Sequence, residues 1–176
     1  MDRHWLLTWT TYGTWLPGDR RGFVGPIRQK DGSHVIHNMP GTNYDKDMPA
    51  LEHKVKNSMK GERILLSLEQ AVAISGQFQK TATYRNWGLC AVAVMANHVH
   101  LVVVVKDDPD PERLLHSFKS YASRALNNRW RKPINGTWWT VSGSKRKLPD
   151  KQAVVAAIQY VLNQGNPLVI WEKPGA

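Results

Sequence analysis

WGLCAVAVMANHVHLVVVV, residues 87–105, is the most apolar stretch of the chain, and its β-branched side chains favour strand. Met95-Ala96-Asn97 interrupts the run near its middle, so the pattern predicts two adjacent antiparallel strands, about 88–95 and 98–105, joined by a tight turn. Strand side chains alternate between faces, so His98 and His100 point the same way, with Cβ atoms roughly 6–7 Å apart. Two imidazoles so placed can converge on one metal ion. Val99, Leu101, Val103 and Val105 take the opposite face, and Val102 and Val104 continue the histidine face with apolar groups. A strand apolar on both faces is central and covered on both sides. In a chain with seven histidines the H-x-H triplet fits three environments: metal ligands, core histidines bonded to backbone, or a surface zinc site.

The rest of the composition narrows the partners. A chain of 176 residues, 41% hydrophobic and 22% charged, is long enough for one compact domain with a substantial core. Its net charge of +10 points to a polyanion, nucleic acid first and a membrane surface second. Eight tryptophans among basic residues suit stacking of unpaired bases as well as ordinary core packing. Cys90 is the single cysteine, which excludes a disulfide framework and a Cys-based zinc site. The opening residues MDRHWLLTWTTYG lack the order of a signal peptide, and Asn97, His98 and His100 interrupt the one stretch of nearly membrane-spanning length. A cytoplasmic protein with no membrane partner is expected.

Along the chain, HWLLTWTTY (residues 4–12) reads as the first strand, closed by Gly13 and Pro17-Gly18. Residues 17–60 carry no sustained period and read as a long excursion, with a short helix near 50–58 and solvated loop histidines His34, His37 and His53. Ser67 with Glu69-Gln70 starts a helix that should run to about Asn86. Pro109 and Pro111 restart the chain into a helix over about 111–131, with Leu114, Leu115, Phe118, Tyr121, Ala122 and Ala125 inward. TWWTVS (residues 137–142) reads as a fourth strand, and Pro149-Asp150 opens a last helix, about 150–164. The expected fold is α+β: a ferredoxin-like βαββαβ antiparallel sheet with an extra C-terminal helix, in one domain whose 17–64 segment is a long insertion.

On the last helix, Val154, Val155, Ile158, Val161 and Leu162 form an apolar stripe, while Tyr160 and Gln164 fall together on another side, one turn apart. Tyr121 lies instead within the inward stripe of its own helix. The candidate nucleic-acid surface is Lys119, Arg124, Arg129, Arg131 and Lys132 on and after the second helix, with Lys145-Arg146-Lys147.

These residues carry a resemblance. ANHVHLVVVV resembles the M-P-N-H-V-H-L-x-V segment of the single-tyrosine HUH transposases, named for two histidines flanking a bulky apolar residue. TWWTVSGSKRK followed by IQYVLNQGNP resembles that family's strand-then-helix ending, and the Trp-rich start with Asn166-Pro167 is similar to its REP-associated branch. The resemblance covers roughly residues 4–16 and 65–170. Ala96 stands where proline is usual, and the 17–64 segment is longer than the usual first connection. The resemblance implies that His98, His100 and Gln164 ligate a divalent metal, Mg2+ or Mn2+, although imidazole preference alone favours zinc. It implies that Tyr160 attacks hairpin-flanked single-stranded DNA, leaving a 5′-phosphotyrosine and a free 3′-hydroxyl for strand transfer, in transposition or REP-element processing. A homodimer, with the last helix crossing between subunits, is compatible with the sequence. Two other functions also are: a catalytically idle regulator that binds structured single strands, and a metal-dependent phosphoesterase with no covalent step.

Overall fold

The computed structural model describes residues 2–16, 19, 25–28, 34–37 and 48–174. Its central strand is β5 (His98–Lys106), flanked in a five-stranded antiparallel sheet by β1 (Asp2–Thr10) on one side and β4 (Gly88–Val94) on the other. The edges are β6 (Ser144–Leu148) beside β1 and β7 (Val169–Glu172) beside β4. Here β2 (Gly25–Arg28) and β3 (His34–His37) form a separate two-stranded hairpin. The helices are α1 (Pro49–Asn57), α2 (Leu68–Tyr84), α3 (Pro111–Asn127) and α4 (Lys151–Leu162). Read as β1-α2-β4-β5-α3-β6, the main body is the expected βαββαβ plan, with α4 and β7 added after it. No helix among the described residues is long and apolar enough to cross a membrane.

Alternation along the central strands divides the core in two. Trp5, Leu7 and Trp9 of β1 join Val99, Leu101 and Val103 of β5 on one face, against Ile74 and Phe78 of α2 and Leu114 and Phe118 of α3. Edge-on aromatic contacts tie these layers: Trp9 to Phe78 at 5.6 Å between ring centroids, and Phe78 to Phe118 at 5.9 Å. The other face is smaller, with Ala91, Ala93, Met95, Val102 and Leu148 under Ala157 and Val161 of α4. The starts of α2, α3 and α4 each have a side-chain cap for orphan backbone donors. Ser67 and Gln70 form a reciprocal capping box, Asp110 accepts from the Glu112 N–H, and Asp150 accepts from the Ala153 N–H.

Several expectations need correction. Residues 137–142 are not a strand; they carry one isolated bridge, Thr11 to Trp139, and the sheet edge is β6. Trp138 and Trp139 are both buried, which a strand with one covered face does not allow for consecutive residues. Their indole N–H groups are instead satisfied separately, by Asn127 Oδ1 at 2.8 Å and Ser123 Oγ at 2.9 Å. The charged SKRKL segment takes the edge, where lysine and arginine discourage further pairing. The second predicted helix ends at Asn127 rather than near 131. Tyr121 sits at that helix's rim, partly exposed, because Ser117, Ala122 and Leu126 complete the inward face. On α4, Val155 is 51% exposed; the inward stripe is rotated onto Ala153, Val154, Ala157, Ile158 and Val161. Strand β7 and the β2–β3 hairpin carry too few residues of pattern to stand out in the sequence. The short helix expected near 50–58 is α1, with His53 exposed on it, while the side chains of His34 and His37 lie outside the described residues.

Gly143 joins the Trp138–Ser142 segment to β6 through a close approach. A Cβ there would lie 2.7 Å from the Thr8 carbonyl oxygen and 3.0 Å from both Leu115 Cδ2 and Trp9 Cβ. Because the nearest atom is backbone, Gly143→Ala is expected to cost about 1–3 kcal/mol by overpacking. Urea denaturation of the variant beside the parent protein measures it.

Candidate active site

The β1–β5 register sets Thr8 opposite His100 and Thr10 opposite His98, while β4 sets Ala93 on the other side of His100. The two histidines thus point to the α4 face among short side chains. Their ring centroids are 4.7 Å apart and nearly perpendicular, at 83°. The ring of Tyr160, from α4, lies 5.2 Å from that of His100 at 78°. Together with Gln164, Arg146 and Thr8 they line a cleft of about 690 Å³. Tyr160 is half exposed and His100 is buried.

Protein groups hold the Nδ1 atom of each imidazole. His98 Nδ1 donates to Asn97 Oδ1 at 2.6 Å, which places its proton on that nitrogen and its ring lone pair on Nε2. His100 Nδ1 and Thr8 Oγ1 are 2.7 Å apart. Burial, and then the neighbouring His98, push the His100 pKa down to about 4. A neutral imidazole, with a second-sphere partner on one nitrogen, is the form that binds metals. Gln164 Nε2 donates to the Tyr160 carbonyl oxygen at 2.9 Å, which leaves Oε1 as the amide's acceptor atom. Among the described residues no group of three His, Cys, Asp or Glu side chains is placed to hold a metal. The cleft does bring together two imidazoles and an amide oxygen, donor types that suit a divalent ion.

The turn before β5 is fastened from behind. The Asn97 carbonyl accepts from the Thr11 N–H at 2.9 Å and from the Thr11 and Thr14 hydroxyls, each at 3.1 Å. Thr11 is fully buried. Sequence reasoning missed Thr8, Thr11 and the Asn97 side chain. The adjacency of Asn97 to His98 was a readable signal, whereas the roles of Thr8 and Thr11 depend on a register that only the assembled sheet supplies.

The eight expected DNA-binding cations do not form one patch. Arg146 alone lines the cleft with the histidines. Lys145 and Lys147 alternate to the opposite face, where they pair with Glu112 and Asp108, and Lys147 also lies 5.6 Å over the Trp5 ring. Lys119 holds the carbonyls of Thr140, Val141 and Ser142, and burial pushes its pKa down to about 8. Arg124 stacks over Tyr121 at 5.1 Å. Arg129, Arg131 and Lys132 are exposed beyond the end of α3.

The model of the IS200-like transposase family matches residues 51–164, which include β4, β5, both histidines, Tyr160 and Gln164. The chain belongs to that family. No curated protein matches it. Among solved structures, a REP-associated tyrosine transposase bound to a REP hairpin is similar at 10% identity and a TM-score of 0.47. That alignment covers 91% of this chain and 64% of the other, so the chain spans about two thirds of that protein's length. A candidate transposase from Deinococcus radiodurans R1 is similar at 14% identity and a TM-score of 0.47, covering 94% of this chain and 93% of that one.

The buried histidine makes stability depend on pH. Folded His100 stays neutral down to about pH 4, whereas an unfolded histidine takes its proton near 6.5. Between these values the unfolded chain binds more protons, so this group lowers stability as pH falls through the window. Its contribution is at most about 1.4 kcal/mol per pH unit and vanishes above the window. His100→Gln is expected to flatten the dependence, measured as urea midpoints across that range.

Proposed function

We propose that the chain cleaves and rejoins single-stranded DNA, with Tyr160 as nucleophile and His98, His100 and Gln164 as metal ligands. The observation that carries this reading is the convergence of Tyr160 with both histidines and Gln164 in one cleft. The hairpin-flanked site, and a role in transposition or REP-element processing, follow from the likeness of ANHVHLVVVV and IQYVLNQGNP to the single-tyrosine transposases.

The reaction asks little of the protein beyond positioning. The Tyr160 hydroxyl gives up its proton and its oxygen bonds to phosphorus, while the bond from phosphorus to the 3′-oxygen breaks and that oxygen takes a proton. One phosphodiester is exchanged for one phosphotyrosine ester, so no ATP is needed and a returning 3′-hydroxyl can reverse the step. A divalent metal, when bound, neutralises charge on the nonbridging oxygens and orients the phosphate. Mg2+ or Mn2+ is the ion this reading takes, and zinc is the competitor on ligand preference. Thr8 and Asn97 hold the imidazole planes, and Arg146 supplies a fixed positive charge at the cleft wall. Within one chain the Tyr160 ring lies beside that of His100, an arrangement that supports attack in cis.

Tyr160→Phe removes one hydroxyl from a half-exposed ring, so the fold should persist while the covalent adduct with hairpin-bearing single-stranded DNA disappears on denaturing gels. His98→Ala is expected to abolish cleavage and leave hairpin binding largely intact, because binding rests mainly on phosphate contacts. Binding without any adduct from the parent protein would favour the idle regulator. Cleavage that survives Tyr160→Phe would favour a phosphoesterase.

Arg146→Ala tests the cleft wall separately. It should lower DNA affinity and reduce the dependence of log affinity on log salt by about one ion. The same change at Lys147 should have a smaller effect, since its ammonium is already paired with Asp108.

A further inference from the structure

The end of α2 meets α3 on the sheet face opposite the cleft, and aromatic rings and guanidinium groups gather there that the proposed reaction does not use. Tyr84 is 74% exposed, a large ring left mostly to solvent. Its centroid is 6.1 Å from that of Tyr121. The Arg85 guanidinium lies 5.7 Å from the Tyr84 ring and 5.9 Å from the Tyr121 ring, and the Arg124 guanidinium lies 5.1 Å from the Tyr121 ring. Two open clefts border this cluster. One, of about 620 Å³, is lined by Arg85, Trp87 and Arg113; the other, of about 490 Å³, by Lys119, Ser123 and Arg124. Glu112 reaches both clefts, and its carboxylate is paired with Lys145.

An exposed tyrosine with arginines beside it offers two complementary contacts. Ring faces accept the π-face of a base, and guanidinium groups meet phosphate. A duplex hides its base faces and could use only the charges. An unpaired strand can use both. We propose that Tyr84, backed by Tyr121, forms a platform on which an unpaired base of single-stranded DNA stacks, with Arg85 and Arg124 meeting the flanking phosphates. The platform rests on the reading of the chain as a single-strand enzyme and extends it, since it holds DNA on the face away from the reacting phosphate.

The test uses the full chain carrying Tyr160→Phe, in chelator without metal, so that neither cleavage nor covalent capture contributes. Fluorescence anisotropy with oligothymidine and with a blunt duplex of matched length gives affinities over a salt series. Tyr84→Ala should weaken oligothymidine binding about tenfold with an unchanged salt slope. Tyr84→Trp should restore or raise affinity, and Tyr84→Leu should not, because an apolar side chain without a π-face cannot stack. Arg85→Ala and Arg124→Ala should each lower the slope by about one ion. Melting curves confirm that the variants are folded; the exposure of Tyr84 predicts little change. Oligothymidine binding indifferent to Tyr84→Ala would overturn the platform alone. So would an equal loss for duplex and single strand, which would mean that the surface reads charge rather than bases. Failure of the Tyr160→Phe protein to bind oligothymidine at all would overturn the platform and the single-strand reading together.

Discussion

The pairing of β1 with β5 in a single register underlies both core and cleft. Nine residue pairs, from Asp2 with Lys106 to Thr10 with His98, fix which side chains face α2 and α3 and which face α4. A slip of one residue would send Trp5, Leu7 and Trp9 to the opposite face and take Thr8 away from His100. The apolar burial of those tryptophans and of Val99, Leu101 and Val103 therefore specifies the register. The Thr8–His100 contact comes with it. The site is not separately built: its geometry is inherited from the packing on the far side of the sheet.

Legibility in the sequence followed the same division. The two central strands, the histidine face and the start of α2 could be read because period and capping residues repeat the same message locally. Tyr160 could be placed off the inward stripe for the same reason, although the stripe itself was misjudged at Val155. What failed were segments whose conformation depends on contacts across the fold. Trp138 and Trp139 look like strand residues, yet the hydroxyl of Ser123 and the amide of Asn127 on α3 decide where their indoles go. Tyr121 satisfies a helical period and still sits at the rim, because the neighbouring helix presents Tyr84 and Arg85 there instead of apolar cover. Strand β7 is four residues long and is placed by its pairing along the edge of β4 and by Val169 and Trp171 against the core.

Charge taught a related lesson. Lys145-Arg146-Lys147 is one basic triplet in sequence and two surfaces in space, since strand alternation sends Arg146 to the histidine face and its neighbours to the other. Net charge identifies a class of partner, but each cation has to be assigned to a face before it can be assigned to a ligand. Lys119 shows the extreme case. Its ammonium is spent on three carbonyls of the segment leading to β6, so it organises the loop beside Trp139.

Among the three helices packed on the main sheet, the one that carries Tyr160 is the most lightly attached. Only Ala157 and Val161 of α4 are buried, whereas α2 and α3 each bury six residues. Small inward side chains let α4 lie close to the sheet, and they also leave little apolar area to hold it there. Local opening free energy follows buried contact, so α4 is the element whose amides should exchange with solvent deuterium well before those of α2 or α3. Tyr160 then rides on a foldon that can lift while the histidine strand stays locked, so the cleft can open and close without loosening the core.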